Sequence, residues 1–281
     1  MAIPAFDKLK FDDITLATKV KGRPQFTIIY GKGGIGKTTA ACYSPDPVLI
    51  AVGRETGCER MIDNGIPCFL NSSDKPPIEF VFSCIARLLK TEHSRKTLII
   101  DNIGSFREEV DEDVENDNKD TDLKAFGRGT ALAYPYYTKL LAGIDALMKK
   151  KDMHVILIAH DVLYNINKED GTYYQRVGIN APAGENTNVR GLLEARAHNV
   201  FYIRGIEPTR IVKGAMGGTK TVATSGKINR IIYTKPQGTF FAKSRVNLEP
   251  FYEIEPSDSE EELLTERTNP TLIKLFTDLY N

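Results

Sequence analysis

Eight consecutive residues, Gly31-Lys32-Gly33-Gly34-Ile35-Gly36-Lys37-Thr38, have the types and spacing of a loop that grips a nucleoside triphosphate. Glycines let a backbone close round a phosphate without Cβ clashes. The N–H groups of such a loop, and of the helix start after it, point at the anion. Lys37 is placed to reach the β- and γ-phosphates, the Thr38 hydroxyl to hold Mg²⁺, and Thr39 to complete the cradle. ATP and Mg²⁺ are therefore the expected cofactors. Hydrolysis asks for more. Asp101 closes the apolar run Thr97-Leu98-Ile99-Ile100 and supplies the carboxylate that a metal near this loop requires. A group must also orient or deprotonate water. Glu55 is the candidate, with Glu59 its rival. His160 ends another apolar run, where it can sense the γ-phosphate or stand as a satisfied strand-end histidine. Lys243 and Arg245 alternate on one strand face. A cation pair so far along the chain is suited to a neighbouring subunit's γ-phosphate, the alternative being a basic face on solvent or DNA.

These residues need a frame. Phe26-Thr27-Ile28-Ile29-Tyr30 reads as a buried strand entering the loop, and Thr39-Ala40-Ala41-Cys42 as a first helical turn that Pro45 and Pro47 stop early. Val48–Val52, Thr97–Asp101, His154–His160 and Val200–Ile203 read as further buried strands, with helical stripes at Ile78–Leu89 and Leu140–Met148 between them. The alternation predicts an α/β fold, a mostly parallel sheet with helices on both faces. Val48–Val52 is expected beside the loop strand. Glu55 would then stand at the carboxyl edge, where open parallel sheets bind ligands.

Charge is zero overall but segregated. Residues 108–122 hold nine acids against Lys119 and read as a solvated, mobile loop. Residues 204–245 hold nine basic residues against Glu207, with hairpin-like runs at Ile231–Tyr233 and Thr239–Phe241. Arg210, Lys213, Lys220, Lys227 and Arg230 make this the candidate nucleic-acid surface. Tyr233, Phe240 and Phe241 are either stacking faces for bases or core aromatics. The division is an N-terminal extension (1–25), a core (26–250) and an acidic tail (251–281) with a short amphipathic helix after Asn269-Pro270. The four cysteines form no C-x-x-C pair and read as reduced cytosolic thiols. Neither a signal peptide nor an 18-residue apolar run is present, so no membrane segment is expected and the cytoplasm is the expected location.

The order of the glycine loop, Val48 to Glu55, Leu98 to Asp101, Ile156 to His160 and Ala242-Lys243-Ser244-Arg245 resembles phage-encoded RecA-like P-loop ATPases of the AAA type, a group that includes single-strand annealing and recombination proteins. The resemblance spans residues 25–250. It implies a RecA-like core, to which the hairpin-like runs of 204–245 add a C-terminal β-hairpin region, together with ATP and Mg²⁺, binding of single-stranded DNA, and head-to-tail oligomers with ATP between subunits. A single-strand-binding protein is a further implied partner, and the bacterial host cytoplasm the implied setting. By motif, Lys37 and Thr38 bind phosphate and Mg²⁺, Asp101 supports the metal, Glu55 activates water, and Lys243 and Arg245 act in trans. The Gly53-Arg54-Glu55 sequence and the long acidic insertion depart from the pattern. Two other readings stand beside this one. Lys32 also fits the K-G-G-x-G-K-T loop of partitioning and septum-positioning ATPases, although the early prolines and the Gly-Arg-Glu strand end disfavour them. Alternatively, ATP gates a DNA-binding scaffold with little turnover.

Overall fold

The computed structural model describes residues 22–53, 57–119, 128–184, 187–206, 209–213, 219–223, 228–254 and 267–281. Glu55, Lys227 and the first 21 residues lie outside these, as do the side chains of Arg210, Lys213 and Lys220.

The apolar runs become parallel strands β1 (Phe26–Gly31), β2 (Pro47–Ala51), β3 (Cys68–Phe69), β4 (Thr97–Asp101), β5 (His154–Asn167) and β7 (Asn199–Ile206). They lie side by side in the order β7-β1-β5-β4-β2-β3. β6 (Tyr173–Ile179) folds back antiparallel on the long end of β5. β8 (Thr209–Lys213) and β9 (Thr219–Ala223) form a separate hairpin. β10 (Asn229–Tyr233) and β12 (Phe251–Ile254) extend the sheet antiparallel beyond β7, and β11 (Lys243–Ser244) pairs with the start of β7.

Alternation along each strand feeds two cores. Ile28, Tyr30, Leu98, Ile100, Val155 and Leu157 face one, while Ile29, Ile99, Ile156, Ile158 and Phe201 face the other. The first is covered by α3 (Pro77–Lys90), α4 (Ile103–Asp117), α5 (Arg128–Lys151) and α6 (Val189–Arg196). The second is covered by α1 (Lys37–Ala41), α2 (Gly57–Asp63) and α7 (Pro270–Tyr280). A strand buried on both faces has no solvent side, which is why these runs are continuously apolar. Among the described residues no helix is long and apolar enough to cross a membrane.

The structure corrects several expectations. The acidic stretch is not a loop over its described part: α4 runs through it to Asp117. Ile103, Phe106, Val110 and Val114 recur at helical spacing and are buried. Each contributes about 1.5–3 kcal/mol on burial, against about 0.2–0.5 kcal/mol for each like-charge pair on the outer face. β2 does not lie beside the loop strand, because β5 and then β4 stand between β1 and β2. Thr239–Phe241 forms no hairpin strand. Beyond residue 250, β12 pairs with β10, and Leu272, Leu275, Phe276 and Leu279 of α7 are buried in the second core. Asn269 caps α7 by accepting from the Leu272 N–H at 3.1 Å.

α7 also closes over the amino end of β5. The His154 ring lies 3.7 Å from the Tyr280 ring, centroid to centroid, and its Nδ1 accepts the Gln25 N–H at 3.0 Å. Burial, aided by Lys96 and opposed by Asp152, pushes the imidazole down from its ordinary 6.5 to about 4. Between those values the unfolded chain binds a proton that the folded chain refuses. Stability from this site is therefore complete above pH 6.5 and falls as pH drops towards 4. Ring-proton NMR should place the His154 midpoint near 4, and the melting temperature should fall across the same window. A His154 midpoint at 6.5 would refute the buried acceptor.

Candidate functional site

β1 delivers the chain to a point where only glycine fits. A Cβ on Gly31 would lie 2.3 Å from the Ile203 carbonyl oxygen of β7. The loop then turns into α1 through Gly36, whose φ of 92° is left-handed and favours glycine. Lys37 is buried and folds back over the loop, its Nζ donating to the Gly31 carbonyl at 3.0 Å and the Lys32 carbonyl at 2.8 Å. The ammonium thus stands over the glycine backbone.

Asp101 reaches the loop from two strands away. With β5 interposed, β4 is roughly 10 Å from β1, two strand spacings. The loop and the start of α1 bridge that gap, and Thr38 Oγ1 donates to Asp101 Oδ2 at 2.6 Å. Two hard oxygen ligands side by side beside a phosphate cradle fit Mg²⁺. Asn102, buried next to Asp101, caps α4 by accepting the Ser105 N–H at 3.0 Å and so fixes the end of β4.

His160 is opposite Gly31 in the β1–β5 register. A Cβ on Gly33 would lie 3.8 Å from its Cε1, and one on Gly104 would lie 3.7 Å from its Cδ2. His160 therefore stands between the glycine loop and the start of α4. It lines a cleft of about 190 Å³ with Gly34, Gly36, Lys37, Thr38, Thr39 and Asp101, so the structure brings these sequence-predicted residues together. Arg60 and Asn102 line the same cleft and are additions to the expected set. An Asn directly after a strand-ending Asp, followed by apolar residues at helical spacing, is a cap signal that the acidic composition hides. Arg60 carries no sequence signal. Glu59 is exposed on α2.

Lys243 and Arg245 are elsewhere. β11 pairs Lys243 with Val200, at the end of β7 remote from the loop. Lys243 Nζ donates to the Glu194 carbonyl, and Arg245 Nη2 donates to the Ala195 carbonyl at 3.4 Å. Both cap the last carbonyls of α6. Burial, then Arg245, lowers the Lys243 pKa. Neither cation meets the loop of its own chain.

Of the three aromatics, Phe240 is core, and Tyr233 and Phe241 are half-buried against it. Phe240 is buried, its ring 4.9 Å from Tyr202 and 4.6 Å from Tyr233. The Phe241 ring is covered by the Arg176 guanidinium at 5.2 Å, and the Phe241 carbonyl accepts from the Tyr30 hydroxyl. Arg230, expected on a DNA face, lies against Gly36 instead: a Cβ there would be 3.3 Å from Arg230 Nη1.

A family model described as an AAA domain matches residues 23–246. No curated protein matches the chain.

Proposed function

The chain belongs to the AAA domain family, a group of P-loop ATPases, and from that premise we propose that it is an ATPase that assembles on single-stranded DNA and promotes annealing or strand pairing in phage recombination. The observation that carries the nucleotide half is the 2.6 Å contact of Thr38 with Asp101 beside the folded-back Lys37. Thr38 and Asp101 would hold Mg²⁺, which when bound neutralises charge on the β- and γ-phosphate oxygens. Lys37 and the loop amides orient the phosphates, and His160 faces the same cleft. Glu55, which follows β2 in the chain and lies outside the described residues, is assigned to water by its place in the sequence and by the resemblance. Lys243 and Arg245, at the end of β7 remote from the loop, hold the last carbonyls of α6 in their own chain. Their assignment to a neighbouring copy's triphosphate in a head-to-tail assembly comes from the resemblance.

The DNA half is supported by the charge of residues 204–245 and by a second cleft of about 730 Å³ on the other side of the loop. Its rim carries Lys32 and Arg204, and its wall the exposed apolar side chains Leu163, Ile206 and Ile228. Lys32 and Arg204 offer cations to a nucleic-acid backbone, with Asp161 beside them. ATP turnover should rise several-fold when single-stranded DNA is added at low salt. The stimulation should fall steeply as salt is raised, because phosphate contacts release counterions. Unchanged turnover together with no DNA binding at low salt would remove this half and leave the nucleotide half standing.

A further inference from the structure

We propose that Arg230 supplies a cation to the phosphates of the nucleotide held by its own chain, and that through it the bound nucleotide fixes the root of the β8–β9 hairpin. The inference rests on reading the glycine loop as the nucleotide site. Its first support is contact. Nη1, Cζ and Nε of Arg230 lie 3.3, 3.6 and 3.9 Å from the position of a Cβ on Gly36, so the guanidinium lies along the loop where α1 begins. The second is how firmly that position is set. Arg230 pairs with Gly205 across β10 and β7. The missing side chain of Gly205 leaves a notch: a Cβ there would meet Ile228 Cγ2 at 2.7 Å and Ile35 Cδ1 at 2.9 Å. Ile35 is in the glycine loop itself, so the crown of the loop is seated between the same two strands that carry Arg230.

Chemistry selects the ligand. A guanidinium stays charged at any physiological pH and its planar fork matches phosphate oxygens. Here it lies beside the same glycine loop over which Lys37 folds, so one phosphate group is within the reach of both. Topology supplies the consequence. β7 leads into β8, and β9 leads back into β10, so the hairpin Thr209–Ala223 is rooted on the strand pair that Arg230 ties to the loop. A phosphate that holds Arg230 therefore steadies the root of the basic hairpin.

The experiment compares wild type, Arg230→Ala, Arg230→Lys and Lys37→Ala in titrations with a fluorescent ATP analogue, displaced by unlabelled ATP or inorganic tripolyphosphate. Arg230→Ala should weaken both ATP and tripolyphosphate by about tenfold or more, and Arg230→Lys should recover part of the loss. Amide exchange across 209–223 should slow on nucleotide binding in the wild type and less in Arg230→Ala. Equal affinities in wild type and Arg230→Ala would overturn the proposal, as would a loss for ATP without one for tripolyphosphate, which assigns Arg230 to base or ribose. Should Arg230→Ala melt below wild type without nucleotide, Arg230→Lys and Arg230→Gln carry the comparison. Failure of the underlying reading is distinct: wild type itself would not bind, or Lys37→Ala would bind as well as wild type.

Discussion

Replacing Lys37 with Ala is expected to weaken ATP binding by about 100-fold or more, the loss of one or two charge-assisted hydrogen bonds at roughly 1.5–3 kcal/mol each. The size follows from position. The ammonium is buried and already held over the loop by the Gly31 and Lys32 carbonyls, so little ordering remains when a triphosphate arrives. A lysine waving in solvent would lose side-chain freedom on binding and contribute less. Lys37→Arg tests geometry apart from charge. A planar fork does not reproduce the geometry of a compact ammonium shared by two carbonyls, so it should also bind poorly although the charge is kept. Isothermal titration with a non-hydrolysable ATP analogue measures both variants, with a thermal melt to show that the fold survives. An affinity for Lys37→Ala within threefold of wild type would end the nucleotide reading.

The parts of the site that share one stretch of chain are legible in the sequence. Gly31 to Thr39 is contiguous, and its neighbours β1 and α1 are dictated by local pattern. Asp101 is legible for a related reason, since a carboxylate ending an apolar strand has few other uses near such a loop. What stays hidden depends on strand order and lateral packing. Nothing local says that β5 inserts between β1 and β4, or that β2 is three places from β1. Local pattern therefore points to the wrong neighbour for the loop strand. Arg230 shows the same limit: its charge suggests DNA, while its register with Gly205 brings it over Gly36. Lys243 does fall on a strand, as its alternation indicates, but its cap on α6 is a contact between distant segments. The acidic helix is a different kind of miss. The stripe Ile103-Phe106-Val110-Val114 is present in the sequence, and the surrounding charges mask it. The magnitudes favour the stripe, because four buried apolar side chains outweigh several screened repulsions.

Asp101→Asn separates metal chemistry from nucleotide grip. The substitution keeps size and one acceptor oxygen but removes the charge that a divalent cation requires, while the Thr38 hydroxyl retains a partner at the same position. Turnover in Mg²⁺ should fall by about 100-fold or more, since charge on the transferring phosphoryl group is no longer balanced by a correctly held cation. Binding of the ATP analogue with Mg²⁺ removed by chelation should change little. Without metal, Asp101 offers the phosphates only a like charge, and its neutralisation costs them nothing. The two readouts therefore move apart, whereas a variant that merely loosens the end of β4 would lower both. Asp101 and Asn102 are the hinge between β4 and α4, so that structural outcome has a clear route and a clear signature. If chelator-treated Asp101→Asn binds the analogue far more weakly than wild type, the carboxylate serves the fold and the metal must be held by other groups. If turnover in Mg²⁺ is also unchanged, the Thr38–Asp101 pair has no part in the reaction.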